Sequence, residues 1–127
     1  MVVYSQEMGT YIGASKTYVA MTGSPFAPLT NGRLVQLKLI VYGSSVAALI
    51  EGVTAKVESP SFSGVPVIVS TAGAGLRTAP AQPIPAGIQN CDVPVKVGVN
   101  ITCEIKNVTA DTPVTMEATL IGVFESA

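Results

Sequence analysis

The sequence contains no histidine and no tryptophan. Without an imidazole, a histidine-dependent serine triad is excluded, and general-base catalysis and the usual zinc sites lose their commonest side chain. Without an indole, the chain lacks the aromatic surface on which sugar rings most often stack. We therefore expect a protein that is not an enzyme and that carries no cofactor.

Charge is also scarce, since only 12% of the residues are charged and the formal net charge is −1. This share is about half that of an ordinary globular protein. The seven lysines and arginines are scattered singly, so we expect neither nucleic acid nor a membrane surface as a partner. Two interpretations of the low charge remain open: a hydroxyl-rich β protein, or a surface covered by other subunits.

The two cysteines, Cys91 and Cys103, have no CxxC spacing and no imidazole to activate a thiolate. We expect both to be reduced, small apolar side chains. The acidic residues fall mostly on the polar faces of predicted strands or in turns, and no Asp-x-Asp-x-Asp calcium loop occurs. The sequence thus predicts no catalytic residues and no metal ligands.

No apolar run reaches the length of about 18 residues needed for a spanning helix. The first eight residues lack the basic start and the apolar core of a secretion signal, so we expect synthesis in a cytoplasm. A chain of 127 residues fits one domain that can bury a real core.

Alternating apolar and polar residues predict strands along most of the chain after residue 29. The strongest strand runs from Arg33 to Tyr42, with Val35, Leu37, Leu39 and Val41 on one face. Further alternation occurs at 53–58, 65–69 and 93–99, and no helix is convincing. Because Pro66 cannot donate to a ladder, its strand is predicted to start there or to lie at a sheet edge. Seven or eight short strands separated by turn signals predict an all-β jelly-roll sandwich.

Residues 100–124 show the clearest pattern of this kind and are predicted to form a β-hairpin. On the first arm Ile101, Cys103 and Ile105 share a face, and the apolar face of the second arm consists of Val114, Met116, Ala118 and Leu120. Turn-forming residues lie between the two arms at 107–113.

Residues 1–28 lack a sustained period and are predicted to be an extended N-terminal arm, with the jelly roll at 29–127. We expect the jelly roll to fold without the arm. The aromatic residues of the arm either close the open end of their own sandwich or anchor a neighbouring molecule.

Residues 70–90 form a second irregular stretch, with Pro80, Pro83 and Pro85. A loop of this length is more often functional or interface-bound than idle, although a short strand near 76–78 is the alternative. Together the two stretches supply the candidate assembly-interface residues Tyr4, Tyr11, Ile12, Tyr18, Phe26, Leu76 and Ile84.

The segment 29–37, Leu-Thr-Asn-Gly-Arg-Leu-Val-Gln-Leu, and the ending from Ile105 to Phe124 resemble single-jelly-roll decoration (cement) proteins of tailed-bacteriophage capsids. The resemblance implies a virion structural protein that is made in the host cytoplasm and docks on the capsid exterior. It further implies the major capsid protein as partner, self-association as a homotrimer, and a function in clamping neighbouring shell subunits.

The alternative function is a carbohydrate-binding or host-adhesion module of a virion, because jelly rolls often bind sugars. Tyr42, on the polar face of the strongest predicted strand, is the strand aromatic best placed for that function.

Overall fold

The computed structural model describes residues 2–13, 15–43, 48–50, 53–71, 76–78, 87–107 and 116–127, with side chains except at 42–43, 48–50, 76–78 and 116. Within these ranges the chain forms ten strands, and a single turn of 3₁₀ helix spans Pro60–Phe62. The strands are β1 (Val3–Gly13), β2 (Val19–Ala20), β3 (Gly32–Gly43), β4 (Ala48–Ile50), β5 (Val53–Glu58), β6 (Val67–Ser70), β7 (Leu76–Thr78), β8 (Gly87–Val95), β9 (Thr102–Asn107) and β10 (Met116–Ser126).

Eight of these strands build two four-stranded antiparallel sheets. Sheet 1 has the order β1-β10-β3-β8, and sheet 2 has the order β2-β9-β5-β6. The chain changes sheet between successive members of this set except from β5 to β6, which is the connectivity of a jelly roll. Strands β4 and β7 pair with each other outside the two sheets. The predicted all-β jelly-roll sandwich is confirmed.

The core lies between the sheets, because the alternating sequence of each strand places its apolar side chains on the face toward the other sheet. Leu37, Leu39 and Val41 of β3 are fully buried, and Ile105 of β9 and Leu120 of β10 are buried with them. Their removal from water supplies the main driving force for joining the two sheets. The alternation predicted within these strands is therefore confirmed.

One detail of β3 differs from the predicted face. The register against β10 shifts so that Phe124 pairs with Leu34 and Val123 with Gln36, which leaves Val35 as the extra residue of a bulge. Leu34 is fully buried and Val35 is half-buried. Strict alternation placed Val35 with the core residues, but a bulge reverses the faces on one side of it.

The N-terminal segment differs from the extended arm that the sequence predicts. Strand β1 runs antiparallel to β10 along its whole length, and β2 pairs with β9, so this segment supplies one edge strand to each sheet. Met8, Met21 and Phe26 are buried at 2%, 3% and 8% exposure. The physical reason is that both edge positions and part of the core would be empty without them.

The predicted hairpin over residues 100–124 is wrong in its pairing. Strand β9 lies between β2 and β5 in sheet 2, whereas β10 lies between β1 and β3 in sheet 1. The predicted residues Cys103 of β9 and Ala118 of β10 are buried, and so is Ile101, which directly precedes β9. Alternation identifies the buried face of a strand but not the strand that pairs with it.

Two proline positions agree with the rule that proline avoids interior strands. Pro66 directly precedes β6, which is an edge strand of sheet 2, as the sequence predicts. Pro94 lies within β8, which is an edge strand of sheet 1. The alternative interpretation of the 70–90 stretch is also confirmed at one point, because β7 covers Leu76–Thr78.

Candidate assembly surfaces

Three of the seven predicted interface residues pack inward. The ring of Tyr4 stacks on Phe124 with centroids 5.4 Å apart, and the ring of Phe26 stacks on Phe124 at 5.8 Å. The Tyr4 hydroxyl shares a hydrogen bond of 2.8 Å with the Thr30 hydroxyl. Tyr11 is partly buried against the same core. These aromatic residues therefore close their own sandwich, which is one of the two interpretations that the sequence left open.

Tyr18 lies on the outer face of sheet 2 beneath two lysines. Its ring centroid is 4.3 Å from Nζ of Lys56 and 4.7 Å from Nζ of Lys106, both within cation–π range. Lys56 also pairs with Glu58 at 3.0 Å and Glu104 at 3.5 Å, and the hydrogen bond to Glu58 raises the pKa of its ammonium group. Tyr18 thus belongs to a charged cluster within one chain.

Ile12 is the predicted candidate that the structure leaves exposed, at 72% of its surface. It lies on the outer face of sheet 1, opposite Glu117 of β10. Leu76 belongs to β7, but its side chain is not among those described, and Ile84 lies outside the described residues. The five candidates whose side chains the structure describes therefore do not come together at one site.

The outer face of sheet 1 carries apolar residues that sequence reasoning missed. On the central strand β10, Ile121 lies between Glu7 of β1 and Lys38 of β3, and Val123 lies between Ser5 and Gln36. The apolar residues of this outer face are Val3, Ile12, Ile40, Ile88, Ile121 and Val123. Val3 and Ile88 are 60% and 57% exposed.

A signal for this surface exists in the sequence. The run Leu120-Ile121-Gly122-Val123-Phe124 is continuously apolar, whereas the strands of sheet 2 alternate with polar residues. A continuous apolar run is typical of a strand that is covered on both faces. In this structure sheet 2 covers one face of β10, and no second layer formed by the described residues covers the other, where Ile121 and Val123 are half-buried.

The outer face of sheet 2 is polar at the equivalent positions. Its central strands β5 and β9 point charged and hydroxyl side chains outward: Thr54, Lys56, Glu58, Thr102, Glu104 and Lys106. Lys56 and Glu104 lie directly opposite each other in the register and form an ion pair. The two outer faces therefore differ in chemistry although they belong to the same sandwich.

Polar pairs border the apolar centre of the sheet 1 outer face. Arg33 of β3 forms an ion pair with Asp92 of β8, and Nε2 of Gln36 donates a 2.9 Å hydrogen bond to Oδ1 of Asn90. An apolar centre with a polar rim is the usual composition of a protein–protein interface.

The two cysteines offer no reactive thiolate. Burial, with a smaller contribution from Asp92, raises the pKa of Cys91 to about 11, and burial raises the pKa of Cys103 to about 12. Both thiols are free and keep their protons at neutral pH. In the described ranges no three side chains among Cys, Asp and Glu come together as a metal site would require.

Two surface grooves lie at the end of the sandwich where β5 and β10 finish, with volumes of about 330 and 640 Å³. The larger one is bounded by the start of β3 and the ends of β8 and β10. Neither groove is lined by an aromatic side chain on which a sugar ring would stack. Among the described residues, no helix has the length and apolarity to cross a membrane.

Comparison with solved structures finds distant similarities in fold. No protein-family model matches the chain. No curated protein matches it either. A chain in the structure of infectious bursal disease virus, Gx strain, aligns with a TM-score of 0.48 and 14% sequence identity, over 97% of this chain and 32% of that chain. The present chain therefore spans about a third of the length of that similar protein.

Proposed function

We propose that this chain is a non-enzymatic structural subunit of a virion, a decoration or cement protein that binds the capsid exterior. The observation that carries the proposal is the apolar centre of the sheet 1 outer face, formed by the half-buried Ile121 and Val123 on a central strand that no second layer of described residues covers. Apolar side chains grouped on an uncovered sheet face are typical of protein–protein interaction sites. The resemblance of segment 29–37 and of the ending to capsid decoration proteins supports the same function.

Binding alone would perform this function. The sheet 1 outer face would lie across neighbouring major capsid protein subunits, with its apolar centre buried and its polar rim in contact with water. Because the decoration protein would bind only the assembled arrangement, its binding free energy would stabilise that arrangement. Three copies around a symmetry axis, as a homotrimer, would add their weak contacts into strong retention.

The chemistry of the described ionisable groups favours binding over catalysis. Catalytic nucleophiles need a lowered pKa, whereas burial raises the pKa of Cys91 and Cys103. The larger groove likewise lacks the aromatic residues expected of a sugar site. A glycan array that reported saturable sugar binding would favour the adhesion module instead.

The proposal is tested by co-sedimentation with empty shells assembled from the major capsid protein encoded in the same genome. Ile121→Lys places a charge at the centre of the sheet 1 outer face, and we expect its affinity to fall about tenfold or more, a loss of at least about 1.4 kcal/mol. Ile68→Lys is the matched control, because Ile68 lies exposed on the outer face of sheet 2 and should bind like the wild type.

Each outcome of this experiment has a defined meaning. A wild-type protein that does not sediment with the shells would overturn the cement function. Equal binding by wild type and Ile121→Lys would show that another surface contacts the shell. Weaker binding by Ile68→Lys than by Ile121→Lys would assign the contact to sheet 2.

A further inference from the structure

The free edge of β1 differs from the other three edges of the sandwich. Strand β2 is two residues long, β6 is four residues long with Pro66 before it, and β8 contains Pro94. Short strands and prolines are the devices by which proteins prevent edge-to-edge pairing. Strand β1 has eleven residues and no proline, so it lacks both devices.

The hydrogen bonds of the neighbouring residues identify the main-chain groups that face this edge. The Val2 carbonyl accepts a 2.8 Å hydrogen bond from the Ser126 amide, so the main chain of Val2 faces β10. Since main-chain groups alternate in direction along a strand, those of Val3, Ser5 and Glu7 face away from β10. All three residues are exposed, and no described residue pairs with them on that side.

The free edge ends shortly after Glu7. Thr10 exchanges main-chain hydrogen bonds of 3.0 and 2.7 Å with Thr22, which covers the same side of β1. The register against β10 also shifts between Glu7 and Gly9. The available edge is therefore the five-residue segment from Val3 to Glu7.

We propose that a second copy of this chain binds here, with its own residues 3–7 antiparallel to the first across a two-fold axis at Ser5. Ser5 then lies opposite Ser5 of the second copy, and Val3 lies opposite Glu7. Each of the three outward-facing residues exchanges two main-chain hydrogen bonds with its opposite number, which gives about six bonds. A typical protein interface has about ten, with a spread of about five.

The charges of the chain favour one register between the two copies and are compatible with a second copy as the partner. A two-fold axis at Glu7 would place the two carboxylates directly opposite each other, which is destabilising, and would require the covered residue Thr10 to pair. The axis at Ser5 uses every available group and opposes no like charges, and a net charge of −1 leaves little repulsion between two copies.

The pairing also continues the sheet 1 outer face from one copy to the next. Ser5 is the cross-strand neighbour of Val123, so a Val123 side chain flanks the Ser5 pair on each side of the axis. The result is one eight-stranded sheet with a single outer face. This contact does not involve the shell, so it can succeed or fail independently of the proposed decoration function.

The test uses opposite charges at the two-fold axis. Ser5→Lys and Ser5→Glu each place like charges directly opposite each other, and we expect either variant alone to have half the mass of the wild type by light scattering at low ionic strength. An equimolar mixture should recover the wild-type mass, because lysine then faces glutamate. Native mass spectrometry should find one copy of each variant across the contact.

Two further variants separate pairing from folding. Ser5→Thr keeps the amide and the strand preference and should keep the wild-type mass. Ser5→Pro removes an amide that faces the free edge, so it should halve the mass while the ladder to β10 remains. A wild type with no more mass than Ser5→Lys would overturn the proposal, and so would charged variants of unchanged mass or a mixture that fails to recover it.

Discussion

Gly32 has two structural functions, of which the sequence reveals only one. The pair Asn31-Gly32 is a turn signal, and the structure places Gly32 at the first residue of β3. A Cβ atom at Gly32 would overlap the main-chain oxygen of Glu125. Glycine is therefore required by the close approach of β10, a contact between residues far apart in sequence that a local turn signal does not reveal.

The cysteines give a prediction about pH. Cys103 in the folded chain has a pKa of about 12, raised by burial from an ordinary value near 9. Below pH 9 both folded and unfolded chains hold this proton, so it adds no pH dependence. Between pH 9 and 12 the unfolded chain releases the proton and the folded chain keeps it, so the free energy of unfolding falls as pH rises.

Urea unfolding between pH 7 and 10.5 measures this effect, and Cys103→Ala provides the comparison. The variant should be less stable at pH 7, since it loses buried volume. Above pH 9 its stability should fall less steeply than that of the wild type, by up to about 1.4 kcal/mol per pH unit. Parallel curves for the two proteins would contradict the assignment of the raised pKa to a buried thiol at this position.

At the scale of elements, the sequence predicted the buried face of each strand well but predicted poorly which strands pair with each other. Alternation located the buried sides of β3, β5 and β9, because burial of every second residue is a property of one strand. It failed for the supposed hairpin at 100–124, because pairing depends on the rest of the sheet. It also failed to show the full length of β1, whose inward residues include Tyr4 and Gly9 rather than a uniform apolar series.

Residues 1–27 are therefore expected to be necessary for folding, contrary to what the sequence suggests. Their removal deletes β1 and β2 and the buried side chains of Met8, Met21 and Phe26. Truncation of one large core side chain costs about 2–5 kcal/mol, and a whole domain is stable by only about 5–15 kcal/mol. A chain that starts at residue 28 should show no cooperative thermal transition by circular dichroism.

Met8→Ala tests the contribution of the same segment with a smaller change, the loss of one buried side chain. Met8 is a single core side chain with 2% exposure, so the variant should remain folded and lose about 2–4 kcal/mol in urea unfolding. A truncated chain that melts cooperatively, or a Met8→Ala variant as stable as wild type, would show that the N-terminal segment is peripheral to the core.

At the scale of the whole molecule, fold class followed from the sequence and the candidate surface did not. The frequency of strands and turns was enough to predict a jelly roll. The apolar surface depends on which side of β10 faces sheet 2, and this is decided by the arrangement of both sheets. Among the predicted interface residues, Ile12 is the described side chain that is exposed on that surface.

Shell-binding measurements can distinguish the two proposed surfaces, the free edge of β1 and the sheet 1 outer face. Ser5→Pro removes an amide at the free edge of β1 without adding a charge beside Val123, so it should prevent pairing between copies, still bind shells and reach the same number of copies at saturation. Its binding curve should be less steep than that of the wild type, because neighbouring copies no longer stabilise one another. Ile121→Lys should instead weaken binding at every concentration. Loss of all binding by Ser5→Pro would mean that the free edge of β1, rather than the sheet 1 outer face, contacts the shell.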